Sequence, residues 1–176
     1  VVGGLPMGTK DLYEAREQVK QGIRQLLPHS KEVGVPIALE PLHPMTAADR
    51  SCLCTLRQAL DWCDELDPDG EFGLGVAVDV YHVWWDPDLA SQILRAGKRI
   101  LAFHVSDWLV PTTDLVNDRE CREMVSSIFR QFVGWLKTPD LMALLNWKYS
   151  HRTGGRKILT ARWILASIAS HIIVKE

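Results

Sequence analysis

The chain has 176 residues, 47% apolar and 24% charged, which is the profile of a folded domain with one hydrophobic core and excludes a disordered segment. Its formal net charge of -2 argues against a nucleic-acid partner, because gripping a phosphate backbone asks for a basic face. The longest apolar stretch, Trp163 to Val174, is broken by Ser167, Ser170 and His171 and is too short to cross a bilayer, so no membrane role is expected.

Val1-Val2-Gly3-Gly4 reads as the end of a strand, with neither an initiator Met nor a basic leader, so the sequence is expected to begin inside a domain. Thr9 caps a predicted helix from Lys10 to Leu27, with Leu12, Val19, Ile23, Leu26 and Leu27 on one face and Pro28 ending or kinking it. Val35 to Leu39 is a second strand. Ser51 is the expected N-cap of a helix carrying Leu53, Leu56, Leu60 and Cys63 at helical spacing. Cys52, Cys54 and Cys63 fall in that predicted helix and Cys121 beyond it. Their spacing is not that of a zinc knuckle, so they read as reduced thiols of a cytoplasmic protein.

Asp67-Pro68-Asp69-Gly70 is a turn by composition. Leu74 to Val80 is a third strand, Asp86-Pro87 opens a helix to Ala96, Gly97 stops it, and Ile100 to Val105 is a fourth strand. Strands separated by single helices imply right-handed βαβ units and a parallel sheet, and nearly continuous apolar strands imply cover on both faces. From Glu120 the pattern changes to helical runs, with a basic loop from His151 to Lys157.

Three of the apolar runs end on a residue able to hold a metal: Glu40 after Leu39, Asp79 after Val78, and His104 after Phe103. In an α/β barrel the C-terminal strand ends form the active face, so three strands aim these side chains at one mouth. Two carboxylates and an imidazole suit Mn, Mg, Co or Zn and leave positions for substrate oxygens. His82, three residues after Asp79, binds substrate or supports a ligand. His43 and Asp107 either orient a ligand through a hydrogen bond or serve only their loops. Trp84, Trp85 and Trp108 wall a sugar pocket or simply pack. Arg50 reads as a surface charge. No Gly-x-Ser-x-Gly elbow, phosphate-binding loop or dinucleotide-binding glycine motif is present.

Leu39-Glu40-Pro41, Asp79-Val80-Tyr81-His82, His104-Val105-Ser106-Asp107 and Asn117-Asp118-Arg119 together resemble the xylose isomerase-like barrel superfamily, in its sugar phosphate isomerase/epimerase branch that includes ketose 3-epimerases. The resemblance covers Val1 to Arg119. It implies an α/β fold, a partial (β/α)8 TIM barrel of about four βα units, where a full barrel takes about 250 residues. The expected division is a partial barrel over 1–119 and a divergent, mostly helical tail over 120–176.

The resemblance further implies that Glu40 is a metal ligand and catalytic acid/base and that Asp79 and His104 are the next two ligands. By the same likeness His82 and Arg119 hold substrate, with Trp108 beside them. The implied reaction is proton transfer next to a carbonyl through an enediolate, on a small sugar or sugar phosphate, with a divalent metal as cofactor. The first three strands and a last metal-binding Glu have no counterpart in the chain, as a truncated or frameshifted reading frame would give. Two other readings compete. One is a metal-dependent abasic-site endonuclease on the same barrel, against which the acidic balance and the Trp-rich mouth argue. The other is a non-catalytic barrel remnant that pairs through open strand edges with another chain or a second copy of itself.

Overall fold

The computed structural model describes residues 1–104, 107–108, 111–114 and 118–120. In chain order these form α1 (Leu12–Val33), β1 (Ile37–Leu39), α2 (Leu56–Leu66), β2 (Leu74–Asp79), α3 (Val80–Val83), α4 (Leu89–Ala96), β3 (Ile100–His104), β4 (Asp107–Trp108) and β5 (Arg119–Glu120). Strands β1, β2 and β3 make one parallel sheet in that order, with β2 in the middle. This is the parallel α/β sheet expected from the strand–helix alternation, with three of the four expected strands in it among the described residues. The expected tail helices beyond Glu120 lie outside the described residues. No helix among the described residues is long and apolar enough to cross a membrane.

Three local expectations are corrected by the structure. Helix α1 starts later and runs further than its apolar pattern suggests. Asp11 is the cap, its carboxylate accepting from the Tyr13 and Glu14 amides, while Thr9 accepts from the Asp11 amide and so supports the cap. The helix continues through Pro28 because its last turn is held from outside. Gly34 turns into the left-handed region at φ 68° and donates to Lys31 and Ser30 carbonyls, and the buried Ser30 hydroxyl donates to the Val35 carbonyl. Leu26, placed on the inner face by periodicity, is exposed.

Ser51 does not cap α2. Its hydroxyl is buried and turned to the Leu53 carbonyl, and the backbone there bridges in parallel to Gly3. Thr55 is the cap, in a reciprocal box with Gln58, worth about 1 kcal/mol. Cys52 and Cys54 therefore precede the helix. The opening residues make that single bridge instead of a strand, since Gly3 sits at φ 91° and breaks the extended run. Glu120, expected to start a helix, pairs with Asp107 in the β4–β5 ladder.

The core is built from both faces of β2 and the helices above it. Leu39, Leu53, Leu56, Leu60, Val76, Val78, Val83 and Ile93 are all sealed from solvent, and burial of each large aliphatic side chain contributes about 1.5–3 kcal/mol. The turn into β2 is organised by Asp67, which is 1% exposed and whose carboxylate accepts from the Phe72 and Leu74 amides. Arg99, at the entry to β3, donates to the carbonyls of Leu74, Asp67 and Pro68. The starts of β2 and β3 are thereby tied together.

Cys52, Cys54 and Cys63 are free and buried. Burial pushes all three thiols up, Cys63 to about 11. A thiol held neutral and out of solvent is a poor nucleophile. Alkylation of the native protein at neutral pH, followed by mass spectrometry, should leave these three unlabelled until denaturant is added. Rapid native labelling of any of them would contradict the packing of the α2 layer.

Candidate metal centre

Each of the three ligand candidates is placed by a local rule. Glu40 follows β1 directly and precedes Pro41, which biases its backbone to the extended region. Pro41 and Leu42 are buried, and the Leu42 amide donates to the Leu53 carbonyl at 3.0 Å. Glu40 thus leaves the strand on a pinned segment. Asp79 ends β2 and caps the short helix α3, its Oδ1 accepting from the Tyr81 amide at 2.9 Å. That bond fixes the carboxylate plane, and Asp79 is only 5% exposed. His104 ends β3 and is the register partner of Asp79.

The structure brings these three side chains together. One ligand atom from each of Glu40, Asp79 and His104 lies within 4.8 Å of the others. His104 Nδ1 and Glu40 Oε1 are 3.4 Å apart. The hydrogen bond from His104 holds the Glu40 carboxyl below the usual carboxylate range, against the opposing effect of burial. The same bond, helped by the nearby Asp79, raises the His104 imidazole above its ordinary value. The donor set fits a hard or borderline divalent ion: two carboxylates supply charge, one imidazole supplies a nitrogen, and the cluster opens on the His104 side, whose side chain is 44% exposed.

His82 sits behind this cluster, 4% exposed. Its Nδ1 accepts from the His43 amide at 3.3 Å, so a neutral His82 carries its proton on Nε2. His43 supports His82 through the backbone. The His43 ring caps the following turn by accepting from the Met45 amide, lies edge-on to Trp85 at 5.8 Å, and is pushed toward the neutral form by burial. Trp85 in turn donates from Nε1 to the His82 carbonyl at 2.8 Å. His43 and Trp85 therefore brace His82, and neither belongs to the three-residue cluster. Trp84 is 39% exposed.

Asp107, Trp108 and Arg119 meet in the β4–β5 ladder, Trp108 opposite Arg119; their side chains lie outside the described residues. Sequence reasoning gave Asp118 no role. Its Oδ2 accepts from the Thr113 amide and hydroxyl and the Asp114 amide, closing the loop that returns the chain to Arg119. An Asp a few residues after Thr-Asp was the available signal, since short acidic side chains close such turns.

The comparisons with known proteins identify the family and the fold. A family model described as the xylose isomerase-like TIM barrel matches residues 1–145. A crystal structure of protein SMc04130 from Sinorhizobium meliloti 1021 is 54% identical, with a TM-score of 0.67 over 76% of this chain and 49% of that one. A structure of 3-keto-D-glucoside 4-epimerase, YcjR, from E. coli, in apo form, aligns over 96% of this chain and 58% of that one with a TM-score of 0.51 and 19% identity, a likeness of fold. This chain thus spans roughly half the length of the solved structures it matches. No curated protein matches it significantly. With the family model covering most of its length, and strand ends carrying Glu40, Asp79 and His104 at one mouth, the chain belongs to the xylose isomerase-like TIM-barrel family.

Proposed function

We propose that the chain carries the metal-holding part of a sugar isomerase or epimerase, with Glu40, Asp79 and His104 as ligands to Mn, Mg, Co or Zn. The carrying observation is the convergence of two carboxylates and an imidazole within 4.8 Å from three neighbouring strands. A divalent ion at this place supplies Lewis-acid polarisation of a substrate carbonyl. Glu40, ionised at neutral pH and partly buried, takes the proton from the carbon beside that carbonyl to leave an enediolate. In an isomerisation it returns the proton to the neighbouring carbon, while an epimerisation takes its return proton from a second acid on the opposite face. His82, with its proton on Nε2, holds a substrate oxygen by donating to it; the His43 amide orients its ring through Nδ1, and Trp85 holds its backbone carbonyl. Arg119 and Trp108 complete the substrate side. The substrate class is a small keto sugar or its phosphate, and the E. coli protein of this fold, named for a keto-glucoside, is in keeping with that class.

The test is proton exchange. In D2O with Mn2+, the protein should wash deuterium into the carbon next to the carbonyl of at least one member of a panel of ketoses and ketose phosphates, followed by NMR. The exchange should vanish on chelation and in Glu40→Gln. Absence of metal-dependent exchange across the panel would overturn turnover by this chain.

The ion pair also sets a pH dependence. Metal binding requires neutral His104, and Glu40 holds its proton on. Affinity for Mn2+ is therefore weak at acid pH and climbs as pH rises through a midpoint above the ordinary imidazole value of 6.5. Glu40 stays ionised over that range, its own value being lowered. Calorimetry in buffers of different ionisation heat should show proton release on binding just below the midpoint. A pH-independent affinity between about 5.5 and 8, the span in which histidine titrates, would exclude His104 as a ligand.

A further inference from the structure

The pairing of β2 with β3 is irregular at one step. Val76 pairs with Ile100, but Ala77 pairs with Ala102, Val78 with Phe103 and Asp79 with His104. Leu101 is the extra residue, a bulge in β3. The lower end of this ladder is set by the Val76–Ile100 pair and supported by the Arg99 guanidinium, which donates to the Leu74 and Asp67 carbonyls. From that anchor a regular ladder would place Leu101 opposite Ala77, Ala102 opposite Val78 and Phe103 opposite Asp79. His104 would then lie one step beyond the carboxylate. A one-residue shift in a strand also reverses which face each side chain takes, so it would turn Phe103, now packed against the core, the other way.

The bulge needs room, and Gly75 provides it. A Cβ on Gly75 would lie 2.6 Å from Leu101 Cγ and 2.3 Å from the Arg99 carbonyl oxygen. The Leu101 side chain thus lies over the bare backbone of β2. Glycine is required here by space, as its φ is not in the left-handed region. An isolated glycine inside a strand marks a close backbone approach or a bulge, and bulges re-aim side chains beside active sites.

We infer that Leu101 and Gly75 are positioning residues for the metal centre: the extra residue and the vacancy that receives it bring His104 level with Asp79. This rests on the metal reading of Glu40, Asp79 and His104 given above. Neither residue touches the ion site; each acts through the strand pairing.

The test uses the full chain, Mn2+ alone as probe, and two readouts. Gly75→Ala fills the vacancy and should weaken Mn2+ at least about tenfold, the lower end of what loss of an orienting partner costs. It should also remove the imidazole-nitrogen signal from the Mn2+ electron spin-echo spectrum and the cross-strand nuclear Overhauser contact between residues 79 and 104. Deleting Leu101 with Gly75 kept lets β3 pair regularly with the same partners from Ile100 onward, so this variant should keep the nitrogen signal and the 79–104 contact. Ile93→Ala, a core truncation on α4, should lower stability and leave the nitrogen signal in place.

A folded Gly75→Ala that keeps both signals overturns the inference. So does a Leu101 deletion that loses them, or an Ile93→Ala that loses the nitrogen signal equally. If Gly75→Ala does not fold, the Leu101 deletion decides alone. Failure of the metal reading looks different: the wild type would bind no Mn2+, while the 79–104 contact would still be present in it and lost in Gly75→Ala.

Discussion

Asp79→Asn is expected to raise the Kd for Mn2+ by more than about 100-fold, beyond the roughly 10–100-fold that follows loss of a group which only orients a ligand. The reason is charge at the most buried point of the site. Asp79 is the one ligand candidate almost closed to solvent, and its carboxylate is fixed by the bond from the Tyr81 amide. Asparagine caps a helix about as well as aspartate, so the substitution removes the anion and keeps the turn. Apo-protein stability should change little. The two effects separate in a thermal melt. At a metal concentration of 100 times the wild-type Kd, binding stabilises the wild type by about 2.7 kcal/mol, and a 100-fold weaker variant by only about 0.4 kcal/mol. Glu40→Gln should also lose affinity, together with the ion pair to His104. Wild-type affinity in both variants would remove the cluster as a metal site.

The strand-end positions of the candidate cluster were legible in the sequence because each obeys one simple rule. A short apolar run between two helices reads as a parallel strand, and the first polar residue after it stands at the strand's C-terminal end. Glu40, Asp79 and His104 each satisfy that rule independently, and parallel pairing then aligns the ends. What was not legible depends on contacts distant in sequence. Ser51 is as good a cap as Thr55 by residue type, and it is excluded only because the backbone at Ser51 is already engaged by Gly3. Pro28 stays inside α1 only because Ser30 and Gly34 secure the turn after it. His43 read either as orienting a metal ligand or as serving only its loop. Its backbone amide serves His82 instead, across a separation of 39 residues. The bulge at Leu101 had a visible trace in Gly75, but a glycine in a strand does not say which neighbour will use its space. Apolar patterning thus reports the strand and its end, whereas caps, bulges and ring tautomers are decided by which distant group arrives first.

The second large effect is on stability, at the opposite end of β2. Asp67→Ala should destabilise the fold by about 2–4 kcal/mol. The carboxylate is buried and accepts from the Phe72 amide at 3.2 Å and the Leu74 amide at 3.0 Å. Alanine leaves both donors without their acceptor, and a buried unsatisfied donor costs about 1–3 kcal/mol. The Leu74 amide is fully buried and takes the larger share; the Phe72 amide is only partly buried. Against a total stability of about 5–15 kcal/mol for a domain, the loss is large, and it should appear as a lower urea midpoint with an unchanged slope. The Arg99 clamp survives, because it takes the Asp67 backbone carbonyl and not the side chain. The β2–β3 anchor therefore persists in the folded fraction, and Asp79 and His104 remain level. Metal affinity of the folded variant should then stay within about twofold of wild type, since distant, independent sites add to within about 0.5 kcal/mol. A variant with an unchanged urea midpoint would show that the Phe72 and Leu74 amides find other acceptors. One with normal stability and no metal binding would mean that the turn at Asp67 and the mouth at Asp79 are coupled along β2, against the division between a structural and a functional end that the sheet implies.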